Sequence, residues 1–247
     1  MASTGKKADH RKEDRNDLVI NYLTLRRALG WMGIALPFAL IAGSFAWNGG
    51  HIETSISNYF YTSLRDVFVV TLCAVALFLF TYRGYDQKDR RVTNIAGAFG
   101  LITAFVSTNF KCDIVLPACQ LTNDAICPAA LPGSDAYHII PVPHAEYIGY
   151  IHLGCAAVFF LSLAYMSYFQ FTKTDEPKTQ QKRKRNAVYK ACGLIILICI
   201  LLLFPCFIVP QLKEFYDAHK LIFWAESVSL WAFGISWLIK GEFILKD

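Results

Sequence analysis

The sequence predicts an all-α, polytopic membrane protein with six transmembrane helices and both termini in the cytoplasm. Three observations carry that prediction. Of the 247 residues, 55% are hydrophobic and 15% aromatic, and only 17% are charged, whereas soluble domains carry about 25% charged residues. The charges are gathered in blocks between apolar stretches, each long enough for a hydrocarbon core roughly 30 Å thick. Lys and Arg are concentrated in every second block, the signature of loops retained in the cytoplasm.

The first stretch, 29–47, reads LGWMGIALPFALIAGSFAW, and the second, 66–82, has an interior without charge. The third, 93–110, is richer in Gly and Thr; the fourth, 146–171, is the most aromatic; the fifth, 188–210, holds the run LIILICILLLF; the sixth is 220–240. Ahead of them, residues 1–15 are charged and lack apolar periodicity, which predicts a disordered tail. Leu18, Tyr22, Leu25 and Leu29 then mark one helical face, read either as an interfacial helix or as an extension of the first span. The first span is expected to remain as an anchor, because about 28 polar residues precede it and it exceeds a signal-peptide core.

Lys6, Lys7, Arg11, Lys12, Arg15, Arg26 and Arg27 precede the first span, Arg83, Lys88, Arg90 and Arg91 follow the second, and Lys173, Lys178 and the run KRKR at 182–185 follow the fourth. The intervening loops are nearly bare of positive charge. This pattern explains the net charge of +5 through insertion and anionic lipid head groups, with no nucleic-acid partner. The membrane is left open between a bacterial inner membrane and a eukaryotic endomembrane or plasma membrane, as is association with further copies of the chain.

Within the spans, small residues recur four apart: Ala35, Ala39 and Gly43 in the first, Ala96, Gly100 and Ala104 in the third. Such ridges let membrane helices approach closely. Pro37 and Pro205 are expected to kink their helices. No internal repeat pairs the spans into halves, which argues against an inverted-repeat transporter. The loop 111–145, with five prolines, is expected to form an irregular outer cap. Cys112, Cys119 and Cys127 lie in that loop and Cys206 near the outer end of the fifth span. In an oxidising compartment these four allow three pairings into two disulfides; their wide spacing lacks the knuckle of a zinc site.

The stretch SISNYFYTSLRDVFVV, 55–70, places Ser57, Tyr61, Arg65 and Asp66 at the outer mouth of the second span. His152 and Glu226 each lie six residues inside their spans, about 9 Å deep at the helical rise. An ionisable residue facing lipid near the bilayer centre costs at least about 2.5–3.5 kcal/mol, so Glu226 is expected to turn inward toward His152 or Arg65. Asn109 and His144 would stand at the rim. Ser57, Tyr61, Arg65, Asp66, His152 and Glu226 thus define a candidate pocket. One reading is a hydrogen-bonded network that only fixes helix register. A second is a lipid head-group site, with Arg65 on a phosphate or carboxylate and Tyr59, Tyr61 and Trp224 along the acyl chains. A third is a zinc hydrolase, with Asp66, His144, His152 and Glu226 around a metal that acidifies a water for attack on an ester or amide. A fourth is proton-coupled solute transport through Glu226 and His152. The lipid-associated reading is favoured, with membrane lipids as partners.

Ile56-Ser57 through Arg65, the segment HLGCAAVFF from His152 with Tyr165 after it, and WAESVSLWAFGISWL at 224–238 together carry a resemblance. Over residues 18–243 the chain resembles the six-span superfamily that includes the damage-regulated autophagy modulators and the GPI-anchor remodelling factor, in a bacterial-type form. The resemblance implies a role with lipids or membrane trafficking and no defined catalytic mechanism. The cysteine-bearing third loop and Asp66 depart from that pattern. The seven-span superfamily of alkaline ceramidases and progestin-receptor-like hydrolases, which sets Ser, Asp and His around zinc, fits less well: the chain has six spans and no terminal H-x-x-x-H.

Overall fold

The computed structural model describes residues 3–47, 49–82, 84, 86–106, 108, 146–174 and 179–245. Among them the regular structure is entirely helical: α1 (Ser3–Trp47), a 3₁₀ segment (Ile56–Tyr61), α2 (Arg65–Thr81), α3 (Gln87–Phe105), α4 (Glu146–Tyr165) continued by a π turn (Met166–Gln170), α5 (Gln180–Ile208), α6 (Pro210–Ala218) and α7 (Leu221–Lys240). Four stretches are long and apolar enough to cross a membrane: Asn21–Trp47, Tyr147–Gln170, Gln180–Cys206 and Leu221–Lys240. The chain is on this evidence an integral membrane protein with several spanning helices.

Two boundary expectations change. The tail 1–15, expected to be disordered, is helical from Ser3 onward, so the proposed interfacial helix is an extension of the first span. The fifth apolar stretch belongs to a longer helix, and α6 was not foreseen as a separate element. Pro37 and Pro205 lie inside α1 and α5, which continue past them. The cap loop 111–145 lies outside the described residues.

The helices form a closed ring in which each packs on its sequence neighbour, with α6 set aside: α1 on α2, α2 on α3, α3 on α4, α4 on α5, α5 on α7, and α7 back on α1. Glycine sets the closing seam. A Cβ on Gly30 would lie 2.8 Å from the Gly234 carbonyl oxygen, and one on Gly234 would lie 2.6 Å from that of Gly30, so the backbones of α1 and α7 are in direct contact. The expected ridge in α1 is partly misplaced: Ala35 and Ala39 face outward and only Gly43 is buried, against Leu64. Leu36 and Leu40 take the inward face instead. In α3 the ridge holds, because Ala96, Gly100 and Ala104 are all buried. Gly97 meets the Ala76 carbonyl of α2, and Gly100 meets Phe159 of α4.

An aromatic cluster closes one end of the ring, with Tyr82, Phe171 and Trp237 in mutual edge-on contact and Tyr22 stacked on Tyr82. This end gathers the start of the α1 span and the final turn of α7. The opposite end is closed by the 3₁₀ segment, whose Tyr59, Phe60 and Tyr61 are buried.

Candidate functional site

The polar stretch after α1 folds back into the mouth of the ring. Gly49 and Gly50 take positive φ (58° and 80°), a conformation that costs glycine no Cβ clash, and turn the chain out of α1. The following residues run along the start of α7. Lys220, at φ 52°, offers that helix no side-chain cap, and the exposed N–H groups of a helix start need partners. The loop supplies one: the Phe223 amide donates to the Thr54 carbonyl (2.9 Å), and Lys220 Nζ donates to the Ile52 carbonyl (2.5 Å).

Glu226 returns the service. Its Oε2 accepts from Ser55 Oγ at 2.9 Å and from the Ile56 amide at 2.6 Å, capping the start of the 3₁₀ segment. Ser55 also accepts from the Ser57 amide, so its hydroxyl is both donor and cap. Thr62 closes the far end, donating to the Tyr59 carbonyl and accepting from the Leu64 amide. Deeper in, the Tyr59 and Ser44 hydroxyls meet at 2.7 Å, and Tyr61 donates to the Thr108 carbonyl at 2.5 Å. The loop is thus a hydrogen-bonded plug whose aromatic residues fill the bundle.

The sequence-predicted pocket is not assembled as expected. Glu226 turns inward, but its partners are Ser55 and Ile56 rather than His152 or Arg65. His152 is buried, and its Nδ1 lies 2.6 Å from the Val106 carbonyl, where it serves the end of α3. Asp66 is exposed in the first turn of α2, a position where a carboxylate complements the helix dipole. Arg65 is half-buried, with its guanidinium carbon 4.1 Å from the centre of the Phe60 ring; its amide donates to the Thr62 carbonyl, and among the described residues its guanidinium has no hydrogen bond or ion pair. Ser57 and Tyr61 are buried in the plug. Tyr59 is likewise buried, which removes both tyrosines from the expected lipid border and leaves the exposed Trp224.

The zinc reading finds no assembled ligand group among the described residues. No three His, Cys, Asp or Glu side chains among the described residues are placed to share a metal ion, so Asp66, His152 and Glu226 do not converge. His144, Asn109, Cys112, Cys119 and Cys127 lie outside the described residues. Cys206 is a buried free thiol.

At the other end, basic residues do structural work that the charge count alone did not reveal. Arg185 Nη2, Arg26 Nη1 and Arg27 Nε donate to the carbonyls of Ile239, Lys240 and Gly241 in turn, at 3.3, 3.2 and 2.7 Å. Three guanidinium groups therefore cap the C-terminal end of α7, where positive charge opposes the helix dipole. Lys173 bridges Asp86 (3.0 Å) and Asp89 (2.5 Å) across the α2–α3 and α4–α5 connections. The Asp89 amide donates to the Asp86 carboxylate, and this bond, with the Lys173 bond after it, holds the Asp86 carboxyl below its usual range. Burial works to lower the Lys173 ammonium, but its bonds to Asp89 and Asp86 outweigh that and raise it.

Gln170 and Ser167 were not singled out from sequence. Both are fully buried in the π turn with no hydrogen-bond partner for their side-chain polar atoms among the described residues. A Cβ on Gly84 would lie 2.6 Å from Gln170 Nε2 and 3.0 Å from Asp89 Cγ, so both side chains pack against that glycine. The available sequence signal was a lone glutamine inside an aromatic span end, YFQF. No protein-family model, curated protein or solved structure matches the chain.

Proposed function

We propose that the chain crosses the membrane six times with both ends in the cytoplasm, and that it holds an anionic lipid head group at its outer mouth. The observation that carries the binding reading is Arg65. A guanidinium held over an aromatic ring, without a hydrogen-bond partner among the described residues, keeps its donors for bidentate contact with phosphate or carboxylate. Its neighbour Asp66 forms no ion pair with it among the described residues. The resemblance to the six-span superfamily of autophagy modulators and GPI-remodelling factors supports a role in lipid or membrane homeostasis. Among the described residues no assembled ligand group supports the hydrolase reading.

The test is mass spectrometry of lipid retained by protein purified in nanodiscs of native membrane. Wild type is expected to retain an anionic lipid above its bulk fraction, and Arg65→Ala to lose that excess while Asp66→Ala keeps it. The same lipid profile in wild type and Arg65→Ala would end the head-group reading.

A further inference from the structure

We propose that α6 is an interfacial helix, with its Leu212 and Phe215 edge embedded at the boundary between head groups and acyl chains of the outer leaflet. The sequence treated Pro210–Ala218 only as the tail of a span and a short loop; the structure makes it a separate helix begun by proline, the residue best suited to a first helical position. Its apolar side chains continue an existing surface. Phe204 and Ile208 on α5 are each 62% exposed, and Leu212 and Phe215 follow at 36% and 53%. The spacing of four residues puts Phe204 and Ile208 on one face of α5, and the spacing of three puts Leu212 and Phe215 on one face of α6. An extended Val209 (φ −109°, ψ 101°) separates the two helices, so exposed apolar side chains stand on both sides of the turn at the end of the spanning helix.

The other edge has the opposite character, with Lys213, Glu214 and Asp217. An amphipathic helix of this kind lies in the membrane plane with its apolar side several ångströms deep. Two further observations fix its level. Tyr216 donates to the Leu202 carbonyl at 2.7 Å and ties α6 to the last turns of α5. Trp224, in the first turn of the helix after α6, is exposed, as is Trp47 at the end of α1, and exposed tryptophans gather at the membrane–water boundary. The exposed apolar side chains at the adjoining end of α5 and this aromatic level point to lipid as the occupant of the edge. The inference stands apart from Arg65 and does not need the head-group reading.

The experiment uses the full chain in nanodiscs of phosphatidylcholine and phosphatidylglycerol doped with a lipid carrying a diazirine in its acyl chain. After illumination, peptide mass spectrometry is expected to find adducts on Leu212 and Phe215 severalfold above Glu214 and Asp217. The double variant Leu212→Asp/Phe215→Asp should lose adducts at α6 while those on α5 persist, which separates loss of embedding from loss of folding. Hydroxyl-radical oxidation of Phe215 from the aqueous side, with no acyl adduct, would overturn the proposal. So would adduct-free α6 segments joined by cross-links between two copies of the chain, which would make the edge a protein interface.

Discussion

Glu226 shows how an acidic residue is accommodated within a spanning helix: both donors on its Oε2 come from a loop distant in sequence. Hydrogen bonds to a charged group contribute about 1.5–3 kcal/mol each, and the plug depends on this residue. Glu226→Ala is therefore expected to raise amide hydrogen exchange across residues 55–62 while the centre of α7 stays protected. Exchange unchanged in the plug would show that its aromatic packing suffices. Gln170 makes the opposite case. A buried amide without partners costs about 1–3 kcal/mol, so Gln170→Leu is expected to raise the melting temperature in detergent, and a fall would mean that the amide has a partner the described residues do not supply. The Lys173 bridge adds a pH dependence whose sign is set by both shifts. Asp86, held low, contributes above its unfolded value of about 3.9 and loses that contribution as pH falls through its depressed folded value. Lys173, held high, contributes below its unfolded value of about 10.4 and loses it as pH rises through its raised folded value. The stability gap between wild type and Lys173→Met should thus be widest near neutrality and narrow as pH falls below the ordinary carboxylate range toward the depressed Asp86 value, which melting curves from neutral pH downward would read directly.

Helices were legible from the sequence wherever a long apolar run or a buried small-residue ridge marked them, and much less so where neighbours decide the outcome. The α3 ridge of Ala96, Gly100 and Ala104 could be read because every member faces protein. Ala35 and Ala39 have the same spacing yet face outward, because a ridge shows that close approach is possible and not which side has a partner. The functional pair was Gly30 with Gly234, on the first and last helices, and one chain's sequence holds no local sign of such a distant match. Gly234→Val would force three extra carbons between backbones already in contact. Overpacking costs typically 1–3 kcal/mol, and more is expected here because the obstacle is a carbonyl rather than a movable side chain. Thermal melting should show that loss in Gly234→Val, whereas Ala39→Val, on the outward face, should leave stability within about 0.5 kcal/mol. The same limit explains the candidate pocket. Arg65, His152 and Glu226 were recognisable as unusual residues, but only tertiary structure could show that a returning loop takes Glu226 and that α3 takes His152.

For the whole molecule the decisive question is whether α2 and α3 cross the membrane. α2 has 17 residues, about 26 Å at the helical rise, slightly short of a hydrocarbon core roughly 30 Å thick. Its flanks extend it at both ends: Tyr61 bonds Thr108 beside the plug, while Tyr82 packs on Trp237 at the far end, beside the last turn of α7. The α2–α3 pair therefore reaches from one end of the ring to the other, as α7 does. Six crossings put the α2–α3 connection on the side of the chain's two ends; four crossings, by α1, α4, α5 and α7 alone, put it on the opposite side. Lys88 and Glu214 are both exposed and report the two sides. With a membrane-impermeant maleimide, the Lys88→Cys thiol is expected to react only in inside-out vesicles and the Glu214→Cys thiol only in right-side-out vesicles. Reaction of both from the same side would reduce the crossings to four and place the α2–α3 hairpin, Arg65 included, in the outer aqueous phase.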